Sequence, residues 1–106
     1  MEEQKEMKSI IQDNKDHCYL CGRNAHADYW GLDEHHVFGG SNRQISERYG
    51  LKVYLCHDKC HEFGKESVHK NAEISNQLKA KVQLIAMKHY EWTISDWLER
   101  FGKSYI

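Results

Sequence analysis

Four cysteines form two close pairs whose spacing suits a single metal ion. Cys18 and Cys21 enclose two residues and precede Gly22, whereas Cys56 and Cys60 enclose three. A CxxC turn followed by glycine can bend back to present two thiolates, and four thiolates bind zinc tetrahedrally. Thirty-four residues separate the two pairs, so one ion would join distant parts of the chain. We predict a structural zinc site made by all four cysteines.

Two other interpretations of these cysteines stay open at this point. A redox CxxC is expected in a βαβ context, which the sequence around Cys18 lacks. A zinc site could also take His57 or His61 in place of Cys60, because imidazole suits tetrahedral zinc as well. The first residues lack the apolar stretch of a secretory signal, so we expect a cytoplasmic protein, in which metal binding is favoured over disulfides.

Eight histidines in 106 residues indicate a second site. His35 and His36 are adjacent at the end of a predicted strand, and His61 and His69 follow the second cysteine pair. Zinc would bring that later segment against the strand, so we predict that these four imidazoles converge. Neutral imidazole can deprotonate water near neutral pH, while others hold a divalent ion, which suits cleavage of a phosphodiester. The remaining histidines are predicted to be surface or core residues: His17, His26, His57 and His89.

Apolar patterning predicts two strands with a loop between them. The first lies within residues 28–38 and ends at the turn residues 39–42; the second spans 50–55 and runs into Cys56. Residues 45–49 form either a short helix or an irregular loop. Residues 1–15 form either a short amphipathic helix or a frayed lead.

Helices are predicted to follow the second strand. One segment begins at Asp58 and is interrupted by Gly64. The longest helix follows Asn71, since apolar residues recur every three or four positions. The last opens with the cap Thr93-Ile94-Ser95-Asp96 and stops at Gly102. One face of the long helix is predicted to hold Ile74, Leu78, Val82, Ile85 and His89; the C-terminal core is predicted to hold Trp92, Trp97 and Phe101.

Length and composition limit the protein class. With 106 residues, 40% of them hydrophobic and 29% charged, and a mean hydropathy of -0.84, the chain is expected to be one soluble domain over 1–106. It has no apolar run of the ~20 residues that a membrane helix needs. The net charge is -1, with an acidic first third and a mildly basic middle third, which permits a polyanionic partner. A core this small is commonly supplemented by a metal. The predicted fold class is therefore α+β, zinc-stabilised, with an N-terminal segment and two C-terminal helices.

Several of these residues together resemble the small HNH endonucleases of phages and prophages. The similarity covers about residues 16–75, and residues 72–106 are similar to the helical extension of those proteins. It rests on EHHVFGG at 34–40, Leu55-Cys56, Cys60-His61 and VHKN at 68–71.

The resemblance implies a ββα-metal fold and metal-dependent hydrolysis of DNA to 5′-phosphate and 3′-hydroxyl ends. It implies that His36 is the general base and that His35 binds the catalytic ion, Mg²⁺, Mn²⁺, Ni²⁺ or Zn²⁺. A further ligand would be His61 or His69, with Asn71 as another contributor. An all-imidazole site favours transition metals over Mg²⁺.

The chain departs from the family pattern in two places. The middle Asn of the motif is replaced by Tyr49-Gly50, so its bracing role would pass to Asn42 or be lost. The second cysteine pair is CxxxC and not CxxC, which shifts the start of the following helix by one residue and leaves His61 and His69 as alternatives.

DNA is the expected partner, and Arg43, Arg48 and Lys52 are candidate phosphate contacts. Cutting both strands takes either two copies or two successive events, so a dimer is one open alternative. Two other functions stay open: a zinc-stabilised DNA-binding module of the same fold without catalysis, and a zinc-ribbon adaptor that binds protein.

Overall fold

The structure is a computed structural model and describes residues 8–12, 15–24, 32–62, 64 and 67–106. Two strands come first, separated by a helix, and two longer helices end the chain. A 3-10 turn, Gly40–Asn42, precedes α1, and a π-helical turn, His57–Glu62, follows β2. The elements are β1 (Leu32–His36), α1 (Arg43–Arg48), β2 (Lys52–Cys56), α2 (Ala72–Tyr90) and α3 (Ile94–Phe101).

The sheet is an antiparallel pair, β1 against β2, with His35 opposite Val53 and His36 opposite Lys52. All five residues of β2 are buried, whereas those of β1 are half-buried. Because side chains alternate along a strand, Asp33 and His35 face one side of β1 and Glu34 and His36 face the other. Both predicted strands are confirmed; the predicted start of the first, at residues 28–31, lies outside the described residues.

The first cysteine pair lies in a tight turn that is tied to the sheet. Cys18 donates its backbone N–H to Arg23, Gly22 donates to Cys18, and Tyr19 donates to the carbonyl of Tyr54 in β2 (2.8 Å). Gly22 has φ +75°, which residues with a side chain rarely adopt. The glycine therefore closes the turn that the CxxC spacing predicts.

The C-terminal helices begin at side-chain caps. Asn71 accepts from the backbone N–H of Ile74 (3.1 Å) at the start of α2, and Thr93 and Asp96 form a reciprocal capping box at the start of α3. Gly102, at φ 78°, ends α3 as predicted. Both helices share one hydrophobic core with β2. Phe38, which follows β1, packs edge-on against Trp97 of α3, and Trp97 stacks on Phe101 at 4.0 Å between ring centroids.

The fold is thus a small α+β arrangement, as predicted. Trp97 and Phe101 are buried core residues, whereas Trp92 is half-buried. On α2 the buried positions are Leu78, Val82, Gln83 and Ala86. His89, which the predicted apolar face included, is exposed, because the buried stripe drifts around the helix. No helix in the described ranges is both long and apolar enough to cross a membrane.

The N-terminal lead does not form the short helix that was one of its two predicted forms. The described part of the lead, residues 8–12 and 15, is not helical; Met7 and the rest of that prediction lie outside the described residues. The lead instead pairs with the loop before β2, where Ile10 donates to the carbonyl of Gly50 (3.0 Å). A Cβ at Gly50 would lie 2.4 Å from the carbonyl oxygen of Lys8, so only glycine fits there.

Candidate metal centre and active site

The four predicted cysteines come together as one cluster that could hold a metal ion. Their sulfurs all lie within 4.8 Å of one another. The sulfurs of Cys21 and Cys56 are 3.7 Å apart. A tetrahedral zinc with bonds of ~2.3 Å separates its sulfur ligands by ~3.8 Å, so this distance fits such an ion. Cys18, Cys56 and Cys60 are buried and Cys21 is exposed.

The protonation of these thiols depends on their surroundings. Burial opposes ionisation of Cys18, but hydrogen bonds from backbone N–H groups, that of Cys21 foremost, lower its pKa to about 7. Burial raises the pKa of Cys56 and of Cys60 above the usual thiol value. A bound cation reverses this preference, because a coordinating thiol ionises outright. The buried sulfurs therefore match a metal site better than free thiols.

Three histidines from three segments form a second cluster. His35 comes from β1, His61 from the π-helical turn and His69 from the turn before α2, and each offers a nitrogen within 4.8 Å of the others. The Nε2 atoms of His61 and His69 are 3.0 Å apart, and both rings lie within 5.4 Å of the His35 ring. Nitrogens bound to one ion at ~2.1 Å lie ~3.0–3.4 Å apart, so the residues fit a divalent metal. His61 and His69 both join His35, so His61 does not take the place of Cys60.

Asp33 orients this cluster from the same face of β1. Its Oδ2 accepts from Nδ1 of His61 (2.8 Å) and from Nδ1 of His57 (2.5 Å). Burial opposes ionisation of Asp33, but these two hydrogen bonds and the nearby histidines lower its pKa, so it stays a carboxylate. A carboxylate on Nδ1 fixes the tautomer of His61 and leaves Nε2 free to bind a metal. The same carboxylate explains why the ring of His57 does not enter the cysteine cluster.

His35 is neutral in this environment. Burial lowers its pKa to about 3, and the positive charges that His61 and His69 can carry act in the same direction. Only a neutral imidazole has a lone pair for a metal ion. His35 is therefore available as a ligand throughout the neutral range.

His36 faces the other side of β1 and has a separate set of partners. Its Nε2 lies 2.7 Å from Oε2 of Glu47 and 3.6 Å from Glu34. Lys52 reaches the same carboxylates, at 3.1 Å from Glu47 and 3.5 Å from Glu34. Burial opposes ionisation of Glu47, but hydrogen bonds from His36 and Lys52 lower its pKa, so Nε2 of His36 is the donor. Three imidazoles, not four, thus form the cluster.

One cavity of about 620 Å³ nevertheless connects the base candidate with the cluster. His35 and His36 both line it, as do His61 and His69. Adjacent strand residues reach the same space because the cavity wraps the end of β1, where the chain turns at Gly39 and Gly40. This is a volume typical of ligand-binding clefts.

The three predicted phosphate contacts differ in position. Arg43 lines the cavity, and Arg48 is exposed at the end of α1 outside it. Lys52 is only 1% exposed and paired with Glu47 and Glu34, so it is not on the surface and cannot contact a phosphate there. Lys52 is the first residue of β2, opposite His36, and its ammonium points to the carboxylates of Glu34 and Glu47.

The two candidate asparagines, Asn42 and Asn71, have structural partners. Asn42 donates from its amide to the carbonyl of Phe101 (3.2 Å), bracing the loop after β1 against α3. Tyr49 accepts through its backbone carbonyl from the hydroxyl of Tyr90 (2.7 Å). Asn71 caps α2.

Sequence reasoning missed four residues that the structure places at the site. Asp33 could have been found, because it is two positions before His35 and so shares its strand face. Glu47, Lys79 and Tyr105 had no such pattern: Glu47 contacts His36, and the other two line the cavity from α2 and the C-terminal tail.

No protein-family model matches the chain, and no curated protein and no solved structure matches it either.

Proposed function

We propose that this protein is a metal-dependent endonuclease that hydrolyses phosphodiester bonds in DNA. The observation that carries the proposal is the cavity, in which three clustered imidazoles and a separately held fourth, His36, face the same space. Three metal ligands beside an independent base meet the requirements of metal-assisted hydrolysis.

The arrangement of elements supports an HNH-type, ββα-metal site. Two antiparallel strands are followed directly by a helical turn that carries His61 beside His35. The sequence resemblance over residues 16–75 concerns the same segment. In this proposal the four cysteines hold a structural zinc that fixes the helical turn against the sheet.

His36 is the proposed general base. Its Nε2 donates to Glu47, so its second nitrogen, Nδ1, is the one that can accept a proton from water. The water oxygen then bonds to phosphorus while the bond from phosphorus to the 3′ oxygen breaks. The 3′ oxygen takes a proton from a solvent water molecule and leaves as a hydroxyl, and the phosphate stays on the 5′ side.

His35, His61 and His69 would hold the catalytic ion. When bound, a divalent cation supplies positive charge against the phosphate and the leaving oxygen. Because the three ligands are imidazoles, Mn²⁺, Ni²⁺ and Zn²⁺ suit the site better than Mg²⁺.

Nicking of supercoiled plasmid tests the proposal. Purified protein is incubated with plasmid and Mg²⁺, Mn²⁺, Ni²⁺ or Zn²⁺, beside His36→Ala. We expect wild-type protein to nick with at least one transition metal. His36→Ala should nick about 10²–10⁴-fold more slowly, because a positioned general base usually contributes a factor of that size. Nicked product that DNA ligase reseals without further treatment carries the expected 5′-phosphate and 3′-hydroxyl.

Matched controls separate chemistry from folding. His89→Ala removes an exposed imidazole from α2, outside the cavity, and should nick like wild type. Circular dichroism and zinc content are measured for each variant. Equal nicking by wild type and His36→Ala, or no nicking by wild type with any of the four ions, would overturn the proposal.

A second candidate is a zinc-stabilised DNA-binding module without catalysis. It is favoured by the replacement of the family Asn by Tyr49, which packs against Tyr90 and Trp92. Metal content distinguishes the two candidates. The endonuclease binds two ions per chain, one of them readily removed by a chelator, whereas the module binds one tight ion.

A further inference from the structure

Two cations share the cavity wall with the histidines. Arg43 projects from the start of α1, and Lys79 projects from α2 one turn after Ser75, which lines the cavity too. Residues four apart on a helix lie on the same face, so α2 presents a continuous polar strip to this space. The cavity thus extends from the imidazole cluster to two long basic side chains.

Among the described residues, no carboxylate neutralises the positive charge of Arg43 or Lys79. The acidic residue in the cavity wall is Glu34, which lies 3.5 Å from Lys52 and 3.6 Å from His36. The negative charge of Glu34 is therefore compensated by the buried Lys52. An anion entering the cavity meets a net positive wall.

Lys79 is also held in place. Its ammonium lies 5.4 Å from the centre of the Tyr105 ring, and Lys103 lies 5.3 Å from the same ring. Tyr105 is fixed in turn, because its backbone N–H donates to the buried side chain of Gln83 (2.7 Å) and its ring packs on Phe38. A lysine over an anchored ring loses less side-chain freedom when it binds an anion.

We propose that Arg43 and Lys79 form a phosphate-binding subsite for the phosphodiester next to the one cleaved. The proposal rests on the proposed function in placing the scissile phosphate at the imidazole cluster. Arginine binds phosphate oxygens through paired N–H groups and lysine adds a point charge, so the two hold a strand without reading its bases. The ligand class is the sugar–phosphate backbone of DNA, gripped independently of sequence.

The salt dependence of DNA binding tests the subsite without requiring cleavage. A short fluorescein-labelled duplex is titrated with the full-length protein, without added catalytic metal, over a range of KCl concentrations. Each lost phosphate contact lowers the slope of log Kd against log salt by about 0.9 on duplex DNA. We expect that decrease for Lys79→Gln and for Arg43→Gln, and twice that decrease for the double variant.

Lys81→Gln is the matched control. It makes the same charge change on α2, but Lys81 is exposed and lies over Tyr19, away from the cavity. It should keep the wild-type slope. Zinc content and circular dichroism confirm that each variant is folded.

The outcomes separate the two proposals. An unchanged slope in Lys79→Gln, or an equal decrease in Lys81→Gln, overturns the subsite even if wild-type protein nicks plasmid. A decrease confined to the cavity variants supports the subsite. If those variants show the decrease while wild-type protein fails to nick, the subsite stands and the endonuclease proposal falls.

Discussion

Glu47 connects the proposed base to the core of the protein. It accepts from Nε2 of His36 at 2.7 Å and is held by the ammonium of Lys52, which is itself buried. The carboxylate thus selects the tautomer of His36 from outside the cavity, as carboxylates that orient catalytic histidines do.

Glu47→Gln therefore weakens the base while leaving the metal ligands in place. A neutral amide stabilises the Nε2–H tautomer of His36 less than a carboxylate does. The kcat for plasmid nicking should therefore fall by roughly 10- to 100-fold, which is no more than the rate factor that a general base usually contributes. KM should change little, because Glu47 does not line the cavity. Single-turnover and steady-state nicking rates measure both constants.

Gln44→Ala is the control for that substitution, since Gln44 is exposed on the same helix. The role assigned to Glu47 is wrong if Glu47→Gln keeps the wild-type kcat, or if it raises KM alone.

The cysteines and histidines of the two clusters could be predicted from the sequence, because both residue types are rare and lie at short, characteristic spacings. Two cysteine pairs define their cluster because a metal needs both, and His35 and His61 follow from the strand end and the second pair. Glu47 could not be predicted, because its contact with His36 depends on how α1 packs across the sheet. Burial of Lys52 could not be predicted for the same reason. The alternation of side chains along a strand shows which residues share a face, but not which face the rest of the chain covers.

At the scale of elements, the π-helical turn His57–Glu62 is the feature that the CxxxC spacing of Cys56 and Cys60 did not predict. A CxxxC pair has one residue more than CxxC, and a π-type turn accommodates an added residue in a helix. The turn brings His57 and His61 to the same carboxylate, and His69 joins after the next turn. The choice between His61 and His69 could not be made from sequence because both reach the cluster.

The α3 capping box was predictable, since its residues are local. Thr93 accepts from the backbone of Asp96 (3.1 Å) and Asp96 accepts from the backbone of Thr93 (2.8 Å). That hydrogen bond from Thr93 lowers the pKa of Asp96. The carboxylate therefore stabilises the fold at neutral pH and loses this contribution as the pH falls through its lowered pKa.

Thr93→Val should lower the free energy of unfolding by about 1 kcal/mol, because the shape is kept and the cap is lost. Denaturant unfolding of the zinc-loaded protein measures the change. Ser95→Ala, at an exposed position in the same turn, should cost clearly less; an equal loss in both variants would show that the cap is not the cause.

At the scale of the molecule, the cysteine cluster joins three parts of the fold. Cys18 and Cys21 lie in the N-terminal turn, Cys56 ends β2, and Cys60 lies in the π-helical turn beside His61. An ion in this cluster would fix the segment that carries a proposed catalytic ligand. Binding of an ion by the cysteines would therefore be coupled to assembly of the histidine cluster.

Zinc affinity should consequently depend steeply on pH. Burial raises the pKa of Cys56 and Cys60, so both hold protons at neutral pH without metal and must release them to bind it. With at least two protons released, affinity falls about 100-fold for each unit by which the pH is lowered. Competition with a chromophoric chelator at several pH values measures the slope, and calorimetry in buffers of different ionisation enthalpy counts the protons. Cys21→Ser removes the exposed ligand but keeps the two buried thiols that carry this effect, so it should bind zinc more weakly with two protons still released. An affinity independent of pH would mean that these thiols are not the ligands.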